Sequence, residues 1–396
     1  MHINWHGNVL DHSGYANVSR GFLYELNRRG YNISLLTDTT FMPMDQSLRR
    51  FYEVKKVVGS YAKETGAVKD IGAISSMIKR FESGITITKR TPGQVSSGLI
   101  PKPHIAFPVF EAEPVPFHWI NHLNNPLTVD EVWTSSQYCV DIFKRGGLEK
   151  PIFLIHEGVD TEVFKPKKGF DVFHTGDNFV FFSNFQWSER KAPDLLLKAF
   201  FTAFSPEEPV KLVIKTFLGF VRLPPEKEIE LINRKIEMIT SQLGITDTRN
   251  VVLIVQTISD EVMPNLYNSA DCYVSTSRSE GVGRTNLEAM ACGLPLITPD
   301  CSGMSDYAKS EYAYMVSVEP GKRVQSMDNI SENYRNTFWF EPSWREIAEK
   351  MRFVYEYREK AKEIGNRARQ AMVNNFGWEV VSEKMIERIK YWEENI

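Results

Sequence analysis

Short apolar runs alternate with helix-like amphipathic segments along most of the 396-residue chain. The first unit comprises the strand-like run MHINWHG, a short glycine-bearing loop, the helix-like segment SGYANVSRGFLYELNRRG and the strand-like run YNISLLTD. Within that segment Phe22, Leu23 and Leu26 follow helical spacing, and Gly30 supplies a C-terminal stop. DEVWTSS and PIFLIHEGVD predict later strands, separated by the helix-like YCVDIFKRGG. This alternation predicts an α/β fold with a parallel sheet.

A second set of alternating elements begins near Asn178 with the apolar run NFVFFSNF. The predicted helices that follow are APDLLLKAFFTAF, EKEIELINRKIEMITSQLG and the short EVMPNLYNSA. The predicted strands that follow are VKLVIKTF, NVVLIV, DCYVSTS and LPLITPD. The chain is also longer than one hydrophobic core usually serves, which favours two domains.

The predicted linker is FKPKKGFDVFHTGD, which is rich in Lys, Gly and Asp. We therefore predict a first domain of residues 1–168 and a second of residues 169–377. The last helix, at about 378–396, is amphipathic, and its pattern alone allows packing on either domain. Ligands of open parallel sheets bind beyond the carboxyl ends of the strands, so two such domains predict a central cleft.

Composition excludes several classes of protein. Apolar residues make up 42% and charged residues 24% of the chain, and the net charge is −3. These values are typical of a globular protein and argue against a disordered, collagen-like or wholly basic one. The four cysteines follow no metal-binding spacing, and we interpret them as reduced, buried thiols. No apolar run approaches the ~18 residues that span a bilayer, and the N-terminus lacks the apolar centre of a signal peptide. We expect a cytoplasmic protein, with a peripheral position on the inner membrane face as the alternative.

One segment departs from this balance. Residues 49–102 contain eleven Lys or Arg against four Asp or Glu, a net charge of +7. Within it AISSMIKRF places apolar residues at helical spacing beside Lys79 and Arg80. Such a segment can contact an anionic membrane, a polyanionic acceptor or nucleic acid, and the last is disfavoured because aromatic residues are not interleaved. The alternative is an amphipathic helix on the domain core with a solvated basic face.

The strongest candidate for chemistry is the stretch SRSEGVGRTNLEAMACGLPLI, residues 277–297. A strand ends at its polar turn, and TNLEAMACG predicts a short helix with Thr285 or Asn286 as N-cap and Gly293 as stop. Gly281 and Gly283 allow the backbone to approach a ligand, and a helix N-terminus attracts phosphate. Glu288 can accept two hydrogen bonds from a diol, and Glu280 can do the same for a second polyol. The motif thus has room for sugar, pyrophosphate and ribose. Acids and glycines are, however, common at helix N-termini in general.

This stretch resembles the paired-glutamate signature of retaining glycosyltransferases of family four, which have the GT-B fold of two Rossmann-like domains. Four other segments resemble the family in the same order. They are HSGYANVSRGFLYELNRRGY, DEVWTSSQYCVDIFKRGGLEKPIFLIHEGVDTEVFKP, SNFQWSERKAPDLLLKAF and ISDEVMPNLYNSADCYVSTS. The C-terminal RARQAMVNNFGWEVVSEKMIERI resembles the family's last helix, which implies a helix that crosses back to the first domain.

The resemblance implies roles for single residues. Glu288 matches the glutamate that holds the ribose hydroxyls, and Glu280 matches the one beside the donor sugar. The backbone of Gly281, Val282, Gly283, Arg284 and Thr285 is then expected to contact sugar and phosphate. Arg190 and Lys191 match the basic loop that binds the diphosphate; the alternative is a solvated pair at a helix start. Gly14 matches the glycine of the N-terminal loop, with Ser13 and Tyr15 beside it on the acceptor side.

Two positions depart from the family pattern. Many relatives have arginine where this chain has Gln186, so that either Arg190 substitutes or phosphate binding is weaker. Arg284-Thr285-Asn286 replaces apolar residues and a proline. Arg284 can add a cation near the donor sugar or phosphate, and the alternative is a surface arginine paired with an acid.

The acceptor side is predicted around FPVFEAEPVPFHW. A subset of the family places a glutamate after aromatic residues here, which matches Glu111. We expect Glu111 to orient the acceptor hydroxyl, with Glu113 as the neighbouring candidate. The alternative for both is a capping or salt-bridged acid before Pro114.

Taken together, the sequence predicts a retaining hexosyltransferase of carbohydrate biosynthesis. Its co-substrate is a nucleoside-diphosphate sugar, and its acceptor is a glycan, a lipid-linked molecule or another hydroxyl-bearing compound. No Asp-x-Asp follows a strand, so we expect no metal; Arg190, Lys191, Glu280 and Glu111 are the predicted catalytic residues. The rival predictions are an epimerase or phosphorylase of the same fold and a non-catalytic sugar-binding protein.

Overall fold

The computed structural model describes residues 1–9, 13–36, 83–92, 100–219, 223–256, 258, 262–325 and 332–396. The chain forms two compact units. The first unit contains Met1–Phe110, Pro114–Asp160 and Asn375–Ile396, and the second contains Glu111–Glu113 and Thr161–Asn374. The basic segment of residues 49–102 lies mostly outside the described residues, and its AISSMIKRF stretch lies wholly outside them. Membrane or polyanion contact through it stays a prediction.

The strands follow one another in the order β1 His2–Gly7, β2 Asn32–Leu36, β3 Ile85–Lys89, β4 His104–Ala106, β5 Glu131–Thr134, β6 Ile152–Leu154, β7 Phe179–Gln186, β8 Val210–Phe217, β9 Val251–Val255, β10 Cys272–Val274, β11 Leu296–Pro299, β12 Tyr314–Val316, β13 Val318–Gln325 and β14 Phe338–Pro342. The helices are α1 Gly14–Arg28, α2 Phe117–Asn124, α3 Gln137–Arg145, α4 Pro193–Ala203, α5 Pro225–Gln242, α6 Met263–Tyr267, α7 Arg284–Ala291, α8 Trp344–Glu356, α9 Arg358–Asn375 and α10 Trp378–Asn395.

Each unit is built on a six-stranded parallel sheet. The order is β2-β1-β3-β4-β5-β6 in the first unit and β12-β11-β10-β7-β8-β9 in the second. The first four residues of β7, FVFF, are all apolar and buried because helices cover both faces of such a sheet. On one face Phe181, Leu196, Phe200 and Ile214 belong to a single buried cluster. These sheets confirm the predicted α/β architecture.

The order in which strands are added to the second sheet reverses between two neighbouring strands, while all strands stay parallel. From β7 the chain proceeds outward through β8 and β9, and from β10 it proceeds the other way through β11 and β12. β7 and β10 pair directly, with Phe181 opposite Cys272 and Phe182 opposite Tyr273. Crevices form at the carboxyl ends of strands at such a switch point. The loops after β7 and β10 therefore lie where a ligand site is expected.

The last helix, α10, packs in the first unit through a tryptophan. Trp378 contacts Phe22 of α1 edge-on, with the ring centroids 5.1 Å apart. A Cβ atom at Gly21 would come within 2.3 Å of the indole, and one at Gly158 within 2.8 Å. Because both neighbours lack side chains, the indole packs directly against their backbone. The structure thus places α10 with the first domain, one of the two arrangements that its pattern allowed.

Several details differ from the sequence predictions. Helix α7 begins at Arg284, and its N-cap is Gly283 in the left-handed region rather than Thr285 or Asn286. The antiparallel hairpin of β13 and β14 and helices α8 and α9 were not predicted. The division of the chain by contacts, at residues 160/161 and 374/375, lies near the predicted boundaries but also assigns Glu111–Glu113 to the second unit.

Within the described part of the chain, no helix is long and apolar enough to cross a membrane. All four cysteines are buried and form no disulfide, as predicted.

Candidate functional site

A basic turn follows β7 at the switch point of the second sheet. Glu189–Lys191 form a single 3₁₀ turn, and Ala192 after it adopts φ of +50°, an unusual value for a residue with a side chain. Neighbouring groups hold this backbone. The Thr276 hydroxyl donates to the carbonyls of Lys191 and Ala192 at 3.0 Å, and the Arg278 amide donates to the carbonyl of Arg190 at 2.7 Å. The loop after β10 therefore positions the loop after β7.

The two cations of this turn meet the first glutamate of the EGxG stretch. Arg190 Nη1 lies 2.9 Å from Glu280 Oε2, and Lys191 Nζ contacts Glu280 Oε1. The Ser277 hydroxyl donates to the same Oε1 at 2.6 Å. The side chains of Arg190, Lys191 and Glu280 are 19%, 16% and 10% exposed, so that the cluster is mostly buried but accessible.

Glu111 joins this cluster through Arg190. Arg190 Nε lies 3.2 Å from Glu111 Oε1, and the Tyr334 hydroxyl donates to the same oxygen. Glu111 belongs to the second unit, so the whole group forms within one compact body. The structure brings together all four residues that the sequence predicted as catalytic, and adds Tyr334.

Opposing effects set the charges in the cluster. Burial lowers the pKa of Arg190, but the carboxylates of Glu280 and Glu111 outweigh it and the pKa is raised above its ordinary value. Burial lowers the pKa of Lys191, and the charge of Arg190 adds to this against the attraction of Glu280, so that the pKa stays lowered. Burial raises the pKa of Glu280, yet Arg190 and Lys191 bring it down to about 2. Glu280 is therefore ionised at neutral pH.

The glycines after Glu280 permit a turn that other residues would not. Gly283 has φ of +88°, and a Cβ atom there would approach the Tyr307 hydroxyl to 2.7 Å. That hydroxyl instead donates to the Gly283 carbonyl at 3.1 Å. The Gly303 amide donates to the Glu280 carbonyl at 3.0 Å, and a Cβ atom at Gly303 would come within 2.0 Å of the Gly281 carbonyl oxygen. This packing fixes Gly281, the buried Val282 and Gly283 just before α7.

Helix α7 carries the second glutamate on its first turns. Glu288 Oε2 accepts a hydrogen bond from the buried Tyr267 hydroxyl at 2.8 Å, and Arg284 Nη2 lies 4.0 Å from Glu288 Oε1. Arg284 thus has an acidic neighbour, as the surface-pair alternative requires. Thr285 is half-buried in the same turn. Because the first amides of a helix have no acceptor within it, the N-terminus of α7 suits an anion.

One buried arginine was missed by the sequence analysis. Arg278 Nε lies 2.7 Å from Glu341 Oε2, and its Nη2 lies 2.8 Å from Asp194 Oδ2. Its Nη1 also donates to the carbonyl of Glu189 at 2.6 Å. Arg278 therefore links the basic turn to α4 and β14 and helps to hold the backbone that carries Arg190 and Lys191. The only sequence signal was a charged residue inside an otherwise small, polar turn.

The remaining predicted residues lie in other surroundings. Glu113 pairs through its backbone with Phe338, and its side chain meets Arg323 at 2.6 Å. Gly14, in the first unit, is the first residue of α1, which Ser13 caps by accepting from the Ala16 amide at 3.2 Å. Also in the first unit, the Tyr15 hydroxyl donates to the Val109 carbonyl at 3.3 Å.

Gln186 stands where many relatives have arginine, and its side chain lies against Gly219. A Cβ atom at Gly219 would come within 2.1 Å of Gln186 Nε2. Across the described ranges, no group of three or more His, Cys, Asp or Glu residues could hold a metal ion.

Comparison with protein families gives a match over the second unit. The family model described as "Glycosyl transferases group 1" matches residues 165–371, more than half of the chain. Spore coat protein SA of Bacillus subtilis (strain 168) is 27% identical over 136 residues, which cover 34% of this chain and 30% of that protein. Mannosylfructose-phosphate synthase of Agrobacterium fabrum is 35% identical over 79 residues, 20% of this chain and 16% of that protein. The chain thus matches less than a third of the length of these curated relatives.

Solved structures resemble the whole chain. HepE of Anabaena, determined in complex with UDP and glucose, superposes with a TM-score of 0.67 at 14% identity and covers 99% of this chain and 100% of its own. Sucrose-phosphate synthase from Thermosynechococcus elongatus gives a TM-score of 0.68 at 14% identity over 100% of both chains. Likeness at this identity shows a shared fold, which confirms the predicted GT-B architecture.

Proposed function

We propose, from the premise that this chain belongs to the family of group 1 glycosyl transferases, that it moves a sugar from a nucleoside-diphosphate sugar to an acceptor hydroxyl. One observation carries the proposal. The cations Arg190 and Lys191 and the ionised Glu280 meet beside the N-terminus of α7. Cations and helix amides suit a diphosphate, and a carboxylate suits sugar hydroxyls.

In the proposed donor complex, the diphosphate binds between the basic turn and the first amides of α7. Arg190 and Lys191 then share their charge between Glu280 and the phosphate oxygens. Glu288, one turn into α7, accepts hydrogen bonds from the ribose hydroxyls. The left-handed turn at Gly283 leads the chain into α7, so that the backbone from Gly281 to Gly283 contacts the sugar.

The proposed reaction retains the configuration at the anomeric carbon. The bond between that carbon and the diphosphate oxygen breaks, and its electron pair goes to the diphosphate. The acceptor oxygen bonds to the same face of the carbon, and its proton passes to the released diphosphate oxygen. Arg190 and Lys191 stabilise the charge that develops on this leaving group, so the proposed reaction needs no metal ion. Glu111 orients the acceptor hydroxyl.

The first experiment identifies the donor and the stereochemistry. The protein is incubated with UDP-, GDP-, ADP- and TDP-linked hexoses and a panel of acceptor glycans and lipid-linked sugars, with and without EDTA. Release of nucleoside diphosphate that depends on acceptor, together with an NMR spectrum of the product, reports transfer and anomeric configuration. Release that EDTA abolishes would overturn metal independence, and inversion would overturn retention. A protein that binds sugars but releases no diphosphate would support the non-catalytic alternative.

A matched pair of variants tests the donor site. Glu288→Gln removes the charged carboxylate that accepts hydrogen bonds from the ribose in the proposed complex. We expect kcat/KM to fall about 10- to 100-fold, which corresponds to the free energy of hydrogen bonds to a charged group. Glu237→Gln makes the same change on an exposed position of α5 and should leave turnover intact. Equal activity of the two variants would contradict the proposed role of Glu288.

A further inference from the structure

The hairpin of β13 and β14 has a third, very short partner strand. Glu113 and Phe338 exchange both backbone hydrogen bonds, at 3.3 and 2.8 Å, in an antiparallel bridge. Arg323 of β13 lies 2.6 Å from the Glu113 carboxylate. The segment Glu111–Glu113 is thus held by backbone and side chain together. Because Glu111 is two residues away, the hairpin also fixes where its side chain begins.

The hairpin also supplies a side chain to Glu111. Tyr334 lies in the 3₁₀ turn Glu332–Tyr334 before β14, and its hydroxyl donates to Glu111 Oε1. Two contacts hold Tyr334 itself. Its ring packs 5.9 Å from that of the buried Trp339, and its carbonyl accepts from the Thr337 hydroxyl at 2.9 Å. The phenol is therefore a positioned donor.

The two oxygens of Glu111 have different surroundings. Oε1 receives the Tyr334 hydroxyl and lies 3.2 Å from Arg190 Nε. Oε2 makes no hydrogen bond with any residue that the structure describes. The side chain is 17% exposed. One oxygen is thus engaged by protein, and the other can accept from a ligand hydroxyl.

We propose that Tyr334 is a positioning residue for the acceptor and acts through Glu111; this inference rests on the proposed function. An arginine can bind both oxygens of a carboxylate at once. By occupying Oε1, Tyr334 opposes that arrangement and leaves Oε2 to the acceptor hydroxyl. Without the phenol hydroxyl, Glu111 turns onto Arg190 with both oxygens, and the acceptor loses its hydrogen-bond partner.

The test removes a single oxygen atom. Tyr334→Phe keeps the ring against Trp339, and Tyr314→Phe removes the hydroxyl of another half-buried tyrosine in the same unit as a control. For Tyr334→Phe we expect kcat for transfer to fall about tenfold, as for the loss of a hydrogen bond to a charged group. The melting temperature should stay as in the wild type, since a merely structural role would lower it. Full kcat in Tyr334→Phe, or a loss equal to that of Tyr314→Phe, would overturn the proposal.

A double-mutant cycle with Glu111→Gln tests the route of the effect. If Tyr334 acts through Glu111, adding Tyr334→Phe to Glu111→Gln costs no further activity. Additive losses would overturn the proposal. A crystal structure of Tyr334→Phe gives a readout that does not depend on activity, and an unmoved Glu111 would likewise overturn it. Absence of transfer by the wild type from every donor would instead overturn the proposed function.

Discussion

Near the carboxyl end of each parallel sheet, a lysine pairs with a glutamate that also accepts a hydrogen bond from a serine hydroxyl, but water reaches the two groups differently. In the first unit Lys89 Nζ lies 3.1 Å from Glu157 Oε1, to which the Ser135 hydroxyl donates at 2.9 Å. In the second unit Lys191 contacts Glu280 Oε1, to which the Ser277 hydroxyl donates at 2.6 Å. The lysine side chains are 1% and 16% exposed, respectively.

The surroundings explain the difference. Lys89 Nζ lies 3.9 Å from the centroid of the Phe107 ring, and this face of the group is closed by an aromatic side chain. Lys191 instead has a second cation, Arg190, and the start of α7 beside it. A fully enclosed pair keeps its partners, and removing one of them leaves a buried charge uncompensated. An accessible group with excess donors can instead exchange partners with a ligand. The same residue types therefore serve structure in one unit and, we propose, chemistry in the other.

The largest expected effect is a loss of stability when the buried group of Lys89, Glu157 and Ser135 is broken. Lys89→Met removes the buried cation that lies 3.1 Å from the Glu157 carboxylate. We expect the free energy of unfolding of the first unit to fall by about 3–5 kcal/mol. Urea unfolding followed by tryptophan fluorescence measures it. The double variant with Glu157→Gln should regain part of the loss. Unchanged unfolding in Lys89→Met would show that the closed pair contributes nothing.

The corresponding change in the accessible group of Lys191, Glu280 and Ser277 should lower turnover. In the proposed reaction Lys191→Met removes a donor from the leaving diphosphate, and we expect kcat to fall about 10²- to 10³-fold, as for the loss of a preorganised donor. Stability should change much less than in Lys89→Met, because Arg190 still pairs with Glu280. Steady-state kinetics and the same urea titration compare the two variants. A larger loss of stability than of activity would erase the contrast between the groups.

Lowering the pH should reveal how much the ionised Glu280 contributes to the stability of the protein. Its pKa is about 2 in the folded protein against an ordinary 4.5. A lowered pKa gives stability that is present above 4.5 and is lost as the pH falls toward 2. Between pH 6 and pH 3 we expect the wild type to lose about 2 kcal/mol more than Glu280→Gln, at about 1.4 kcal/mol per pKa unit. Urea midpoints at both pH values measure this, and parallel pH dependence of the two proteins would contradict it.

The smallest expected effect concerns the residue behind the basic turn. Arg278→Lys keeps the charge but cannot reach Asp194, Glu341 and the Glu189 carbonyl together, because lysine lacks the planar fork of arginine. We expect kcat/KM to fall about tenfold, since misplaced groups lose much of their effect. The donor KM should rise while the anomeric outcome stays the same. Wild-type kinetics in this variant would show that the turn holds its position without Arg278.

The turn between the paired glutamates and the helix after it were predictable because their signals are local. Glu280, Gly281, Gly283 and Glu288 lie within nine consecutive residues. Glycine followed by a helix start carries a physical meaning that needs no distant partner. Even there, the predicted N-cap of α7 was wrong, because Gly283 takes that position in a left-handed conformation that side-chain capping preferences do not anticipate.

Other parts of the molecule depend on distant partners and escaped prediction. Arg278 acquires its role from Asp194 and Glu341, far away in the sequence. Tyr334 becomes relevant only because Glu111 lies beside it. The hairpin was missed because β13 contains proline and glycine and lacks the alternating pattern of a half-buried strand. The sequence favoured Glu111 on the acceptor side and kept Glu113 as the neighbouring candidate. In the structure Glu111 contacts Arg190 and Tyr334, whereas Glu113 contacts Arg323.

The contact of Trp378 with two glycines makes the last helix a candidate for small-molecule control. Because the indole occupies space beside both Gly21 and Gly158, its removal in Trp378→Gly leaves a cavity of indole shape between α1 and α10. Apolar cavities of this kind bind free aromatic molecules. Indole added to the solution should then restore the attachment of α10 in a dose-dependent way, which turns a packing contact into an experimental switch.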